Sequence, residues 1–314
     1  MPESINRDDN FDLFTDLFET LRIKGSIFFH SDLASPWGMS FHERGLPLIH
    51  VALAGNCHIG VGAESKIHLK QMDFAMLPIG GAHWVADKPG RKLVESEEAG
   101  SACVLGKPLF QDGKITNRLM CGFVRFEQNI SHPFIESLPE FMHFENEHFN
   151  KTAWATATLI DSEIQRTKSN IGPIIDRLTE VLLLQLLSNY FENYTTNSGF
   201  IAAVRDPRLK HALNLIHQYP EINWSLNDLG NEIGMSRATL IRHFQNTIGM
   251  SPNTYIHSWK MLKAYNLVKY SAASLDNISE QLGFSSSRTL TRAFKRYHNA
   301  TPASFRHDPS ENNN

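Results

Sequence analysis

Two groups of side chains in the last third of the chain have the residue types and spacing to read a nucleic acid. The first is Arg237, Ala238, Ile241, Arg242 and Gln245; the second, fifty residues on, is Ser287, Arg288, Thr289, Thr291, Arg292 and Lys295. At about 3.6 residues per turn each group falls on one side of a helix. Arginine bonds guanine O6 and N7 together, threonine bonds a base edge or touches a thymine methyl, and lysine meets phosphate as a point charge. A helix carrying that mixture suits a major groove. One such face alone would pass for an ordinary solvated surface, so the weight falls on there being two.

The elements that must hold these faces are written twice. Leu229, Ile233 and Gly234 recur 49 residues later as Ile278, Leu282 and Gly283, and Leu240, Arg242, Phe244, Ser251 and Pro252 recur 50 residues later as Leu290, Arg292, Phe294, Thr301 and Pro302. Each copy reads as a short helix (226–233 or 275–282), a glycine free to enter the left-handed region, and a serine cap, Ser236 or one of Ser285 to Ser287. A second helix follows, whose Leu and Phe, four apart, face the first. This is a helix-turn-helix, and one helix over 253–269 joins the copies. Charge divides the same way: residues 1–206 hold 18 Lys/Arg against 26 Asp/Glu, residues 207–308 hold 12 against 6. A basic third on a chain of net charge -3 is what a polyanion partner requires, with affinity falling as salt rises.

Upstream the pattern differs. Between 25 and 125 helical period is absent, and short apolar segments at 26–29, 39–42, 48–53, 57–61, 66–69, 74–77 and 119–126 read as strands of a β-sandwich or small barrel. From 153 the period becomes helical, through Trp154, Leu159, Ile160 and Ile164, then Ile174, Ile175, Leu178, Val181, Leu182 and Leu186, giving two amphipathic helices joined at 171–173. Residues 194–199 read as a linker. With 314 residues, 41% of them hydrophobic, the chain can build two or more domains. Its longest apolar run, 181–187, is far short of the ~20 residues a membrane crossing needs, and the acidic first ten residues lack the apolar core of a secretory signal, so a cytoplasmic location is expected. Three widely spaced cysteines, Cys57, Cys103 and Cys121, make no Cys-x-x-Cys pair and fit free thiols. No phosphate loop, Ser/His/Asp arrangement or paired-carboxylate motif supports a hydrolase or kinase.

Ile278-Ser279, Gly283-Phe284-Ser285, Leu290-Thr291-Arg292-Ala293-Phe294-Lys295 and Thr301-Pro302-Ala303-Ser304-Phe305-Arg306 resemble the second helix-turn-helix of the AraC/XylS family of bacterial transcription regulators. Gly234-Met235-Ser236-Arg237, Phe244, Gly249-Met250-Ser251-Pro252 and Tyr255 resemble its first, so the likeness covers about 206 to 306. Departures are Gly230 and Ser279 where the family has Ala, Asn299 where it has Gly, Lys260 where it often has Arg, and Phe305 where Tyr is common. Gly230 is expected to cost its helix about 1 kcal/mol against Ala, and Asn299 to tolerate the left-handed region. Phe28-Phe29, Ser35-Pro36-Trp37-Gly38, 50–55, 73–83 and Met120-Cys121-Gly122-Phe123 are similar to the cupin-like sensor domain of one branch of that family. The resemblance implies a multidomain α+β protein that is not an enzyme: a cupin-like β-barrel at 11–145 for an effector, a helical dimerisation segment at 150–195, and an all-α tandem helix-turn-helix domain at 206–308 that binds DNA on its own. It also implies Arg242 and Arg292 at bases with Arg237 and Lys295 at phosphate, and Trp37, Phe41, His50 and His83 around an effector pocket. The implied partners are double-stranded promoter or operator DNA, a small-molecule effector, a second copy of the chain and, for an activator, RNA polymerase.

Catalytic cupins hold a metal through a His-x-His pair, a Glu shortly after and a distant His. Here Ala52 stands two residues after His50 and only His83 fits the distant place, so no metal or other cofactor is expected. His30, His42, His58 and His68 read as solvent-facing, and His132, His143 and His148 as ordinary polar residues. Two other readings stay open: a regulator sensing oxidants through a free cysteine, and a metal cupin enzyme tethered to a DNA-binding module.

Overall fold

In a computed structural model of the chain, residues 11–43, 45–62, 65–105, 108–126, 132–145, 151–166, 172–193 and 198–306 are described. Most of the expected linker, His148 and the side chain of Cys103 lie outside the described residues. Two compact units form: Ile23–Glu127 with Leu138–Tyr194, and Met1–Arg22 with Gln128–Ser137 and Thr195–Asn314.

In the first unit the short apolar segments become two five-stranded sheets. One has the order β1 (Ile23–Ala34), β9 (Ile115–Phe126), β3 (Leu48–Ala54), β6 (Phe74–Leu77), β10 (Met142–Phe144); the other β5 (Ser65–Leu69), β4 (Cys57–Val61), β7 (His83–Ala86), β2 (Gly38–Phe41), β8 (Val94–Glu95). The long antiparallel pair β1 and β9 runs from Ile23 opposite Phe126 to Ala34 opposite Ile115. Phe29, Leu33, Leu48, Ala52, Leu119 and Cys121 of the first sheet meet Met39, Phe41, Ile59 and Val85 of the second in one core cluster, so the expected barrel is two sheets facing each other across that core. β7, β8 and β10 exceed the expected strands; none is longer than four residues, too few to show alternation. A helix, α2 (Ser96–Val104), stands where none was expected. Its Ser, Glu, Ala and Gly carry little apolar period, while Glu97 and Glu98 occupy the first turn, where the helix dipole favours acids.

Two helices, α4 (Lys151–Arg166) and α5 (Gly172–Asn193), fall where the helical period predicts them. They cover the outer face of the β1–β10 sheet: the Trp154 ring lies 5.0 Å from that of Phe74. Gly25 of β1 admits α5 closely, since a Cβ there would lie 2.7 Å from Thr179 Cγ2. With the core on one face and helices on the other, β3 is buried from Leu48 to Ala52 instead of alternating. Leu182, Leu183, Leu186 and Leu187 are consumed in this packing, whereas Ile174 and Val181 stay 47% and 44% exposed. Among the described residues no helix is long and apolar enough to cross a membrane.

The second unit is helical. α8 (Leu226–Glu232) with α9 (Arg237–Ile248), and α11 (Leu275–Gln281) with α12 (Ser287–His298), are the two helix-turn-helices, joined by α10 (Pro252–Tyr270). α1 (Leu13–Leu21) lies against α10 and α7 (Pro207–Gln218), and α3 (Pro133–Glu136) against α6 (Gly199–Arg205). Compactness thus cuts the chain differently from the serial order expected of it. Leu13, Leu17 and Leu21, four apart, give α1 an apolar stripe that is fully covered here. Asp16 accepts from His217 Nδ1 at 3.0 Å and from Lys263 Nζ at 2.6 Å, and Asn266 donates to the Thr20 carbonyl at 2.6 Å. A sequence-distant apolar face with polar anchors, not chain order, assigns α1 to this unit.

Candidate nucleic-acid interface and barrel interior

Both turns are built as their residues require. Gly234 and Gly283 adopt φ of +66° and +68°, which costs other residues a Cβ clash. Met235 N–H donates to the Gly230 carbonyl at 2.8 Å, and Phe284 N–H to that of Ser279 at 2.7 Å. Ser236 and Ser286 then cap the second helices, accepting from the N–H of Thr239 and Thr289. Leu240 and Phe244, and Leu290 and Phe294, are buried. That fixes the opposite faces outward: Arg237, Ala238, Arg242, Arg288, Arg292 and Lys295 are exposed, and Ile241, Ser287, Thr289 and Thr291 half-buried. The Thr291 hydroxyl donates to the Ser287 carbonyl at 2.8 Å, so its remaining lone pairs and methyl are what it offers outward. Arg296, outside the expected set, is exposed beside Lys295.

Inside the strand unit, three of the four expected pocket residues meet. Phe41 stacks on His83 with centroids 4.6 Å apart and meets His50 edge-on at 4.9 Å. Trp37, also buried, instead donates its Nε1–H to Asn117 Oδ1 at 3.0 Å. The histidines form a chain whose tautomers are dictated from one end. His83 Nδ1 can only donate to the Gly81 carbonyl (2.7 Å), so His83 Nε2 accepts from His50 Nε2–H (2.8 Å), and His50 Nδ1 accepts from the Cys121 thiol (3.0 Å). Burial disfavours charging either ring: His83 is lowered to about 4, and His50 well below its ordinary value with His83 adding repulsion. Burial likewise pushes Cys57 up to about 12 and Cys121 well above its ordinary value, leaving both as thiols. The donor set does not suit a metal. Two imidazole nitrogens face each other, the other His50 nitrogen is taken by Cys121, and among the described residues no three His, Cys, Asp or Glu side chains are placed to hold a metal ion together.

Residues 12–192 match a family model described as Cupin, and residues 229–308 one described as Helix-turn-helix domain. The chain belongs to the AraC/XylS family. Among curated relatives, an uncharacterized HTH-type transcriptional regulator of Haemophilus influenzae is 26% identical over 94% of this chain and 98% of its own length. The HTH-type transcriptional regulator AlkR of Acinetobacter baylyi is 22% identical over 94% and 99%. A solved AraC-type DNA-binding domain protein from Chromobacterium violaceum is 28% identical over 33% of this chain and 93% of that one, with a TM-score of 0.31. This AraC-type protein is a DNA-binding transcription regulator with a cupin-like N-terminal domain.

Asn299 holds φ of +57° at the end of α12, as expected of it. Gly230 is more than a weak helix residue, because a Cβ there would lie 2.6 Å from the Met235 carbonyl oxygen. The AraC-type histidines also differ from their expected surroundings. His30 is largely buried and bonds Asp161 at 2.6 Å, and His143 bonds Asp73 at 2.9 Å. His132, 1% exposed, caps α3 by accepting from Phe134 N–H. Sequence reasoning missed these because each partner lies on another element or, for His132, because burial comes from distant aromatic rings.

Proposed function

We propose that this regulator answers to a small organic effector held inside its cupin-like domain, without a metal, and that it grips promoter or operator DNA as a dimer. α9 offers Arg237, Ala238, Ile241 and Arg242, and α12 offers Ser287, Arg288, Thr289, Thr291, Arg292 and Lys295. Support for DNA contact by these residues is their place on the faces opposite Leu240, Phe244, Leu290 and Phe294, where Arg237, Ala238, Arg242, Arg288, Arg292 and Lys295 are exposed and the other four half-buried. The effector reading rests on one observation: a neutral Cys121–His50–His83 chain, with Phe41 against it, set among the apolar side chains of the core. A few fixed polar groups among apolar walls are the usual character of a small-molecule site. An effector there acts only through its differential affinity for two arrangements of the protein. The dimer reading rests on Ile174 and Val181, which the unit's own packing leaves exposed.

Chelated, metal-free protein titrated by calorimetry with inducers identified in a reporter strain should bind, and His83→Ala should bind far more weakly. Loss of binding on chelation, restored by one equivalent of metal, would favour the metal cupin instead. The oxidant-sensing reading has no support from Cys57 or Cys121, whose buried thiols are held protonated.

A further inference from the structure

Asp206 joins three helices. Its N–H donates to the Ala202 carbonyl at 3.1 Å and closes α6, while Oδ1 accepts the N–H groups of Arg208 and Leu209 at 2.9 and 3.0 Å and opens α7. Oδ2 accepts from His243 Nε2 on α9 at 2.8 Å. Burial works to raise the Asp206 carboxyl, but the Leu209 N–H, His243 and the Arg208 N–H outweigh it and hold the group below its ordinary value, so it stays an anion. A hydrogen bond to an anion is stronger and more directional than a neutral one.

His243 follows Arg242 directly, and the two share an open cleft of about 430 Å³ with Arg208, Thr239 and Asn246. The buried side chains of α9, Leu240, Phe244 and Ile248, are apolar. Apolar contact is non-directional and leaves a helix free to roll slightly about its axis. A short ring bonded to a carboxylate that is itself fixed by two backbone N–H groups removes that freedom. The second repeat has no such anchor, since Ala293 stands fifty residues after His243.

We propose that His243 is a positioning residue for DNA reading, fixing the roll of α9 through Asp206 and so aiming Arg242. The proposal rests on α9 being a base-reading helix. Full-length protein is used to select duplexes from a pool with a 30-base-pair randomised core, and Arg242→Ala and Arg292→Ala identify which half of the selected sequence each helix reads. His243→Ala should lose roughly tenfold in affinity for the selected duplex, with base preference flattened only in the half assigned to α9 and thermal midpoint nearly unchanged. His243→Gln, whose amide can donate to Asp206 from a similar reach, should recover most of both. Retention of preference by His243→Ala, equal flattening in both halves, or no recovery by His243→Gln would overturn the positioning role. A wild-type protein that enriches no sequence would remove the base-reading helix itself, and the inference with it.

Discussion

At the scale of single residues, function turns on which way a charged end points. Arg292 and Lys295 lie on one exposed face of α12, three residues apart, yet the chemistry of their ends differs. Arg292→Ala should cost about 1 to 3 kcal/mol on the selected duplex and relax base preference, whereas Lys295→Ala should weaken all sequences alike and flatten the salt dependence. Anisotropy titrations on selected and scrambled duplexes separate the two; equal loss on both for Arg292→Ala would take it out of the base-reading set. Gly230 reverses a rule of helix propensity. Alanine there should gain about 1 kcal/mol from propensity alone, but its Cβ would meet the Met235 carbonyl. Gly230→Ala should therefore lower the thermal midpoint. A rise would mean that the first turn relaxes to the arrangement that already accommodates Ser279 in the second.

At the scale of elements, α5 has more apolar surface than one partner can cover. Leu183 and Leu187 pack inside the unit, which makes them poor probes of a dimer, while Val181 remains exposed and Leu184 half-buried. Val181→Arg should give a folded monomer if the exposed stripe joins two copies, and Leu183→Arg an unfolded chain, because an arginine cannot be buried there without a partner. Sedimentation of Val181→Arg as an unchanged dimer would move the interface elsewhere. α1 teaches the complementary lesson: its stripe is spent on α7 and α10, with Asp16 bonded to both helices. The expectation that 206–308 binds DNA alone accordingly changes, since that fragment lacks α1, α3 and α6, whose Leu17, Phe134 and Phe200 are fully buried. Fragment 206–308 should melt broadly and bind selected duplex more weakly than the full chain. A sharp melt with undiminished affinity would show that these helices are dispensable.

At the scale of the whole molecule, buried histidines tie stability to pH. His83, His132 and His217 are lowered to about 4, 3 and 4, in each case first by burial. A group depressed in the folded state leaves stability whole above its unfolded value near 6.5 and removes it as pH falls toward the folded value, because the unfolded chain takes the proton first. At pH 5 each should cost about 2 kcal/mol. Since His83 lies in one unit and His132 and His217 in the other, both units should melt earlier at pH 5 than at pH 7.5, and a midpoint unchanged between them would contradict the burial of these rings. What the sequence alone determined is local in origin. The doubled pattern of Gly, Ser, Leu and Phe specifies each helix-turn-helix because caps, turns and i, i+4 faces depend on residues a few positions apart, and the same local pattern puts Arg242 and Arg292 on outward faces. Tertiary structure alone decided what depends on distant partners: that α1 packs with the helices of the second unit, that Asp206 meets His243, that Leu183 is core, and that His50, His83 and Cys121 form one neutral chain. Burial and pairing across tens or hundreds of residues leave no period in a sequence, because the apolar side chain and the carboxylate look the same whichever partner covers them.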